Sequence, residues 1–472
     1  MCGVVGIHAP GQDAAGLATL GLFALQHRGQ ESAGVAVSDG RGVMVYKDLG
    51  LVDQVLDERR LQSLRGDLAI AHCRYSTTGS TIWENSQPAL RMGPARTVAV
   101  GHNGNLVNTR ELLEALPGGR SRLVGTTDTE LLTALLAMEP AADLVGALLA
   151  LLPRVSGAYS LVVMDEKRVV GVRDPYGLRP LVLGVLPTPD GQAWCLASET
   201  AALDVLGAEY VRDVEPGEMV VLGEEGFDGP RSVRFAQGRE QLCVFELIYF
   251  ARPDSYMLGR NLYEARRRMG EMLAREAPVE SDLVMPVPDT GAPAAAGYAE
   301  VSGIPYREGM VRNRYAGRTF IQPSNGMRQR GVTVKLSALR EQVRGRRLVV
   351  VDDSIVRGTT TRQIVGLLQR AGAREVHLRI SAPPIFHPCF YGIDTQIETE
   401  LIAATRSIDE IREFTGADSL AYLSIGGVLD AIDLPRDRFC FACFDGQYPV
   451  PVPYDPGNRK FLLEREELVV AG

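Results

Sequence analysis

A chain of 472 residues exceeds one ordinary hydrophobic core, so two or three domains are expected. It is 45% hydrophobic and 23% charged with no low-complexity tract, which excludes extensive disorder, and 50 Lys+Arg against 58 Asp+Glu (net charge −8, no single-sign block) offers no basic patch to nucleic acid. The purest apolar run, 144–152, falls far short of the roughly 20 residues that span a bilayer, no secretory leader is legible, and seven Cys are too few for a disulfide scaffold; a cytoplasmic protein with no membrane partner is expected.

In chain order, the first half alternates short β-rich runs with Gly turns. Strands are expected at 4–7, 34–37, 43–46, 68–72, 98–102, 159–164 and 169–172, and helices at 14–25, 129–136 and 144–152. Strands in groups, with helices as separate blocks, predict stacked sheets covered by helices. The Gly- and charge-rich stretch 223–238 marks the expected boundary, dividing the chain into 2–235 and 236–472. From 282 onward the rhythm becomes strand, Gly-containing loop, helix. Strand 283–287 leads through Pro288-Asp289-Thr290-Gly291 into an Ala-rich helix. Strand 348–351 leads through 352–360 into a helix whose Ile364, Leu367, Leu368 and Ala371 share one face, with Gly372 as its C-cap and strand 375–380 following. This βαβ rhythm predicts a parallel sheet with ligands at the carboxyl ends of its strands.

Cys2 directly follows Met1, and a small second residue favours removal of that Met. The resulting terminus would pair a thiol that ordinarily titrates at about 8.5 with an α-amine of about 7.7–8.0 that can act as general base for its own nucleophile. The plainer alternative is a small residue at the start of a buried strand. Further along lie Gln26-His27-Arg28-Gly29-Gln30, Arg74 in His72-Cys73-Arg74-Tyr75-Ser76-Thr77-Thr78-Gly79, Asn103-Gly104 after a strand, and Asp128 at a helix start. Singly, Arg74 reads as a surface charge, Asn103-Gly104 as a tight turn and Asp128 as a helix N-cap. Together they supply what amide hydrolysis of a free amino acid requires: an arginine for the α-carboxylate, an aspartate for the α-ammonium, and an Asn amide with a Gly N–H for an oxyanion.

Cys2-Gly3-Val4-Val5-Gly6, His27-Arg28-Gly29-Gln30-Glu31, Arg74-Tyr75-Ser76-Thr77-Thr78-Gly79, His102-Asn103-Gly104-Asn105 and Thr127-Asp128-Thr129-Glu130, in this order, resemble the N-terminal-nucleophile glutamine amidotransferases. The resemblance implies that Cys2 attacks the side-chain amide of glutamine to give a glutamyl thioester and ammonia. Arg74 would hold the substrate carboxylate, Asp128 its amine, and Asn103 and Gly104 the oxyanion, with Arg28, Gly29 and Thr77 lining the pocket.

In the second half, the string from Arg347 to Thr360 places Asp352 and Asp353 at the end of an apolar strand, followed at once by a Ser/Gly/Thr loop and a helix N-terminus. The carboxylates suit vicinal ribose hydroxyls and a hard cation such as Mg²⁺, and the loop N–H groups suit a phosphate; the alternative is an acidic pair capping a helix. The string resembles the phosphoribosyl pyrophosphate (PRPP) loop of type I phosphoribosyltransferases. By that resemblance Asp352 and Asp353 contact the ribose, while Ser354, Ile355, Val356, Arg357, Gly358, Thr359 and Thr360 cradle the 5-phosphate. Asp289 and Thr290 would belong to the pyrophosphate loop, with Thr290, Asp352 and Asp353 near Mg²⁺. The basic segment 312–324 resembles that family's lid, with Arg314, Tyr315 and Arg318 over the leaving pyrophosphate; otherwise it is a solvated loop.

A glutaminase half followed by a PRPP half is similar, nearly end to end, to the glutamine phosphoribosylpyrophosphate amidotransferase family. The implied fold is α/β with an α+β first half: an N-terminal-nucleophile αββα sandwich followed by a type I phosphoribosyltransferase parallel-sheet domain. The implied reaction converts glutamine, PRPP and water to 5-phosphoribosylamine, glutamate and pyrophosphate, the first committed step of de novo purine biosynthesis. A dry ammonia passage, activation of glutamine hydrolysis by PRPP, feedback inhibition by purine nucleotides and a homotetramer are implied with it.

Cys440-Phe441-Ala442-Cys443, with Cys243 and Cys389, makes a possible set of four thiolates, for which spacing leaves zinc and an iron–sulfur cluster both open. Their surroundings resemble the cluster-bearing branch of the family, which implies a [4Fe–4S] centre of structural or oxygen-sensing role on Cys243, Cys389, Cys440 and Cys443. Cys73 and Cys195 read as buried packing. Some members of that branch carry a propeptide; here only Met1 precedes Cys2, so Met removal is the expected maturation. Two rival readings remain. An N-terminal-Cys amidotransferase with a sugar phosphate or aspartate as acceptor would have no need of the PRPP loop. A regulator using the phosphoribosyltransferase fold as a nucleotide sensor would leave Cys2 and its pocket unexplained.

Overall fold

The computed structural model describes residues 1–94, 96–189, 191–224, 226, 229–313, 335–453 and 459–464. Among them the first half builds two stacked antiparallel sheets. One runs in the order Glu209–Asp213, Val182–Thr188, Gly191–Ala197, Gly3–His8, Leu68–Arg74, Ser32–Ser38 and Val43–Leu49; the other Arg231–Arg234, Glu218–Leu222, Val169–Arg173, Gly157–Met164, Thr97–Leu106 and Ala89–Met92.

Side chains alternate across each strand and so assign the layers. Val5 and Ile7 face outward against the helices Ala14–Ala24 and Thr200–Leu206, in a cluster with Ala18, Leu22 and Leu203. Val4, Ile70, Ala99, Val162, Val169 and Leu196 point inward and fill the space between the sheets. On the far side, Val100, Leu161 and Val163 pack under the helices Asp128–Met138 and Leu144–Leu151. The result is the expected αββα sandwich. Gly6 and Gly171 let the sheets approach: a Cβ on Gly6 would meet Val169 at 3.0 Å, and one on Gly171 would meet Leu196 at 2.7 Å.

The second half carries a four-stranded parallel sheet in the order Leu283–Pro286, Arg347–Asp352, Glu375–Ile380, Ser419–Tyr422. Val284, Val349 and Val351 pack against Met269 and Leu273 of Leu262–Glu276 and against Ala294, Ala295 and Tyr298 of Ala292–Ser302. Leu348, Val350 and Leu378 pack on the opposite face against Ile364, Val365 and Leu368 of Thr359–Arg370. Burial on both faces explains why these strands read as continuous apolar runs. Two details differ from expectation. Val365 joins the helix's buried face, and the C-cap is Ala371, with Gly372 one residue beyond at φ +95°.

The halves are stitched together at three places. The strand Leu242–Cys243, which pairs in parallel with Phe439–Cys440 of its own half, donates its Cys243 N–H to the Leu178 carbonyl of the first half at 3.2 Å. Residues 389–396 lie against the strand Thr97–Leu106 of the second sheet, and residues 459–464 return to the first half, where Leu463 is fully buried among Val98, Leu131 and Leu161.

Candidate active site

Cys2 sits at the start of the central strand of its sheet, 5% exposed. Its thiol donates to the carbonyl of Tyr75 at 3.6 Å, and its main-chain N–H donates to Asn103 Oδ1 at 3.2 Å. Arg28, expected to line the glutamine pocket, donates its Nε to the Cys2 carbonyl at 3.0 Å, and its two terminal nitrogens pair with the fully buried Glu199 and Glu246. Burial opposes the Arg28 charge, but Glu246 and Glu199 overcome it and raise its pKa. With its donors engaged, Arg28 positions the Cys2 backbone. Gly29 has no room for a side chain, since a Cβ would lie 2.6 Å from the Arg74 main chain.

Arg74, read singly as a surface charge, is buried. Its guanidinium donates to the carbonyls of Thr78, Gly79 and Ser80 and lies 3.8 Å from Glu31. Burial lowers its pKa, so an anion brought alongside would stabilise it. Asn103-Gly104 is strand rather than tight turn. The strand Thr97–Leu106 runs straight through it, with Gly104 at φ +153° because a side chain there would strike the Ala158 carbonyl at 2.0 Å. Asn103 Nδ2 is buried with no hydrogen-bond partner, and the Thr77 hydroxyl donates to the Gly104 carbonyl at 3.4 Å. Asp128 is not the helix cap; Thr127 takes that place, and the Asp128 carboxylate accepts the N–H groups of Leu106 at 3.0 Å and Thr129 at 2.9 Å.

At the carboxyl ends of the adjacent parallel strands, Asp353 is buried and Asp352 partly so. The Thr290 hydroxyl donates to one oxygen of Asp353 and the Ser354 hydroxyl to the other at 2.7 Å, which joins the two loops. Burial, and for Asp352 also the neighbouring Asp353, pushes both carboxyls above their usual range. Ile355 packs into a small core with Ile380, Ile402 and Ile411 and offers only backbone, while Arg357 pairs with Glu400 and Arg312 with Asp289. Gly358 turns at φ +72° into the helix Thr359–Arg370, whose first N–H groups have no side-chain cap and face the same space. Such a helix start attracts a phosphate. Arg314, Tyr315 and Arg318 lie outside the described residues.

One cavity of about 750 Å³ is lined from both halves: by Met1, Arg28 and Tyr75, by Phe245, Tyr249 and Ile393, and by Thr290, Asp352, Asp353 and the loop to Thr361. Cys443 also opens onto it. Cys2, Arg74, Asn103, Gly104 and Asp128 are not part of its wall. Cys243 and Cys440 face each other on paired strands, and burial plus the charges of Cys243, Cys389 and Cys440 raise the Cys443 thiol well above its usual pKa, so the four feel one another. Among the described residues, however, no three His, Cys, Asp or Glu side chains stand close enough to hold a metal ion, so neither the expected Mg²⁺ site nor the cluster site is a ready-made shell. Cys73 and Cys195 are buried in the outer core of the first sheet, their thiols pushed up to about 12 by burial, as packing residues would be. Among the described residues no helix is long and apolar enough to cross a membrane.

Residues 72–205 match the family of the glutamine amidotransferase domain and residues 257–384 that of the phosphoribosyl transferase domain. The chain is 52% identical to the amidophosphoribosyltransferase of Synechococcus elongatus, over 98% of this chain and 94% of that protein, and 46% identical to that of Bacillus subtilis, over 96% and 95%. The chain belongs to the amidophosphoribosyltransferase family. A solved B. subtilis glutamine PRPP amidotransferase, complexed with ADP and GMP, superposes with a TM-score of 0.88 at 44% identity, covering 97% of this chain and all of that one. Members of this amidophosphoribosyltransferase family transfer ammonia from glutamine to PRPP, and this chain is an enzyme of that reaction, the first committed step of purine biosynthesis. Nothing in the sequence signalled Glu199 and Glu246, which hold Arg28, or Gly392 and Gln396, which bring the second half against Gly104 and Thr77.

Proposed function

We propose that Cys2 is the nucleophile of the glutaminase half, 2–235, and that the ammonia it releases crosses the shared cavity to PRPP in the half 236–472. The observation that carries this reading is that one cavity is lined both by Met1, Arg28 and Tyr75, which bond to or contact Cys2, and by the Asp352–Thr361 loop. Burial, with Arg179 and Arg28, lowers the Met1 amine to about 5, so this end of the chain is a site that disfavours a charged amine. After removal of Met1, the Cys2 amine takes the thiol proton, and the thiolate attacks the glutamine amide carbon. The oxyanion settles against Asn103 Nδ2, an otherwise unpaired donor, and the Gly104 N–H. The amine returns its proton to the departing ammonia, and water releases glutamate from the thioester. Arg74 holds the substrate carboxylate, Asp128 its ammonium, and Gly29 and Thr77 the pocket wall.

In the other half Asp352 and Asp353 hold the ribose hydroxyls and residues 354–360 the 5-phosphate, with Asp289 and Thr290 beside the pyrophosphate. Two acidic side chains with raised pKa values are short of positive charge, which fits Mg²⁺ with Thr290, Asp352 and Asp353 as its holders. Bound there, Mg²⁺ would offset charge on the departing pyrophosphate. Three buried thiols and the partly buried Cys443, which interact with one another, fit a [4Fe–4S] cluster on Cys243, Cys389, Cys440 and Cys443 that would pin 389–396 and 439–443 together. Feedback by purine nucleotides draws support from the relative complexed with ADP and GMP. A homotetramer and a cytoplasmic location complete the reading.

The test is glutamate release from glutamine by anaerobically purified enzyme lacking Met1, with and without PRPP and Mg²⁺. Stimulation by PRPP, pyrophosphate appearing in step, and loss of glutamine-dependent but not ammonia-dependent synthesis in Cys2→Ala are expected. Glutamine-dependent synthesis surviving in Cys2→Ala would overturn the assignment of the nucleophile.

A further inference from the structure

Residues 390–396 of the second half form a layer one segment thick between the cavity and the strand that carries Asn103 and Gly104. On one side Ile393, Asp394 and Thr395 line the cavity shared with the PRPP loop. On the other, the Phe390 carbonyl accepts Asn105 Nδ2 at 2.9 Å and Gln396 Nε2 donates to the Thr77 carbonyl at 3.0 Å. Between these two bonds Gly392 presses its bare backbone onto Gly104. Its φ is +110°, and a Cβ there would lie 3.1 Å from the Gly104 carbonyl carbon and oxygen. Gly104 is itself closely packed, since a side chain there would meet the Ala158 carbonyl of the neighbouring strand at 2.0 Å.

We propose that Gly392 is a positioning residue for glutamine hydrolysis: through its backbone seat on Gly104 the PRPP half fixes the oxyanion-binding strand of the glutaminase half. This rests on the assignment of Asn103 and Gly104 to the oxyanion. Glycine suits both demands, a backbone angle that other residues rarely adopt and a close main-chain contact that a side chain would push aside. A methyl group at 392 displaces Gly104 by a few tenths of an ångström, which matters for a donor that must meet developing charge and matters little for binding the ground-state amide.

The experiment compares Gly392→Ala with the parent enzyme, using glutamine and then ammonium as nitrogen source. The expected result is a fall of about ten-fold or more in kcat with glutamine, a glutamine KM within about three-fold, and ammonia-dependent synthesis unchanged. Equal loss with both nitrogen sources would make Gly392 a fold residue only, and undiminished kcat with glutamine would remove it from the site; either overturns the proposal. Should Gly392→Ala fail to fold, Gln396→Leu, which frees the same segment from Thr77, is expected to lower glutamine-dependent kcat about three-fold with ammonia-dependent synthesis intact, and no change would count against the proposal. Asn103→Ala run in parallel separates the two ideas. If it retains full glutamine-dependent kcat, the oxyanion assignment itself fails; if it loses it while Gly392→Ala and Gln396→Leu do not, only the positioning role fails.

Discussion

Arg28 commits its guanidinium to the Cys2 carbonyl and to two carboxylates from different parts of the chain, Glu199 beside the first sheet and Glu246 at the junction with the second half. Glu246 also lies 3.3 Å from Arg179, so one buried carboxylate balances two buried arginines. Breaking such a set leaves charge unpaired in the interior, which costs about 3–5 kcal/mol. Glu246→Gln is therefore expected to lower unfolding free energy by about that amount in denaturant titration and to lower glutamine-dependent activity through the loosened Cys2 backbone. Asp174 gives a different signature. Burial, against the opposing pull of Arg173 and three backbone N–H groups, pushes its carboxyl up to about 6. The folded state therefore keeps this proton where the unfolded chain, at about 3.9, has lost it, so stability from this group falls as pH rises between those values. Relative to Asp174→Asn, the parent should lose about 2 kcal/mol of unfolding free energy from pH 4 to pH 7. A constant difference across that range would contradict the raised value.

At the scale of elements, the loop from Asp352 to Thr360 works because Gly358 turns at φ +72° and aims a helix start at the cavity. An alanine there would adopt a left-handed conformation costing about 1–2 kcal/mol and meet Ile402 at 2.6 Å. Gly358→Ala is expected to weaken PRPP binding by about ten-fold in calorimetry, with glutamine hydrolysis in the absence of PRPP unchanged. This loop was legible in sequence because its chemistry is local: carboxylates, hydroxyls and a glycine stand within nine residues of one another after an apolar strand. The layers were legible from the grouping of strands, with helices as separate blocks, although strands such as Leu68–Arg74 and Gly157–Met164 are buried throughout and show no alternation of buried with exposed positions. Edge and short strands such as Ala89–Met92 and Arg231–Arg234 were not, since a half-exposed strand has few apolar residues to announce it. Asn103-Gly104 was open to a turn reading because Asn-Gly favours turns; pairing with Tyr159 and Ser160 on the neighbouring strand decides otherwise. Glu199, Glu246, Gly392 and Gln396 carried no local signal at all. Their roles exist only once distant segments meet.

At the scale of the whole molecule, the two halves share more than a boundary. The segment 459–464 closes over the loop that Arg74 organises: the Lys460 carbonyl accepts the Gly79 N–H at 2.7 Å, and Glu464 accepts the Ser80 N–H at 2.7 Å and the Thr126 hydroxyl at 2.8 Å. Lys460 also pairs with Asp394, so the tail and the layer beneath Gly104 are tied to each other. The loop around Arg74 is thus closed by residues far beyond position 235.

The cavity lined from both halves has a consequence for isotopic bookkeeping. If nitrogen travels inside the protein, then the product remembers its donor. Enzyme turning over amide-¹⁵N glutamine in a bath of ordinary ammonium should yield phosphoribosylamine whose label tracks the glutamine rather than the solution. Dilution of that label in proportion to the bath would mean that the intermediate escapes to bulk water between its birth at Cys2 and its capture at the ribose.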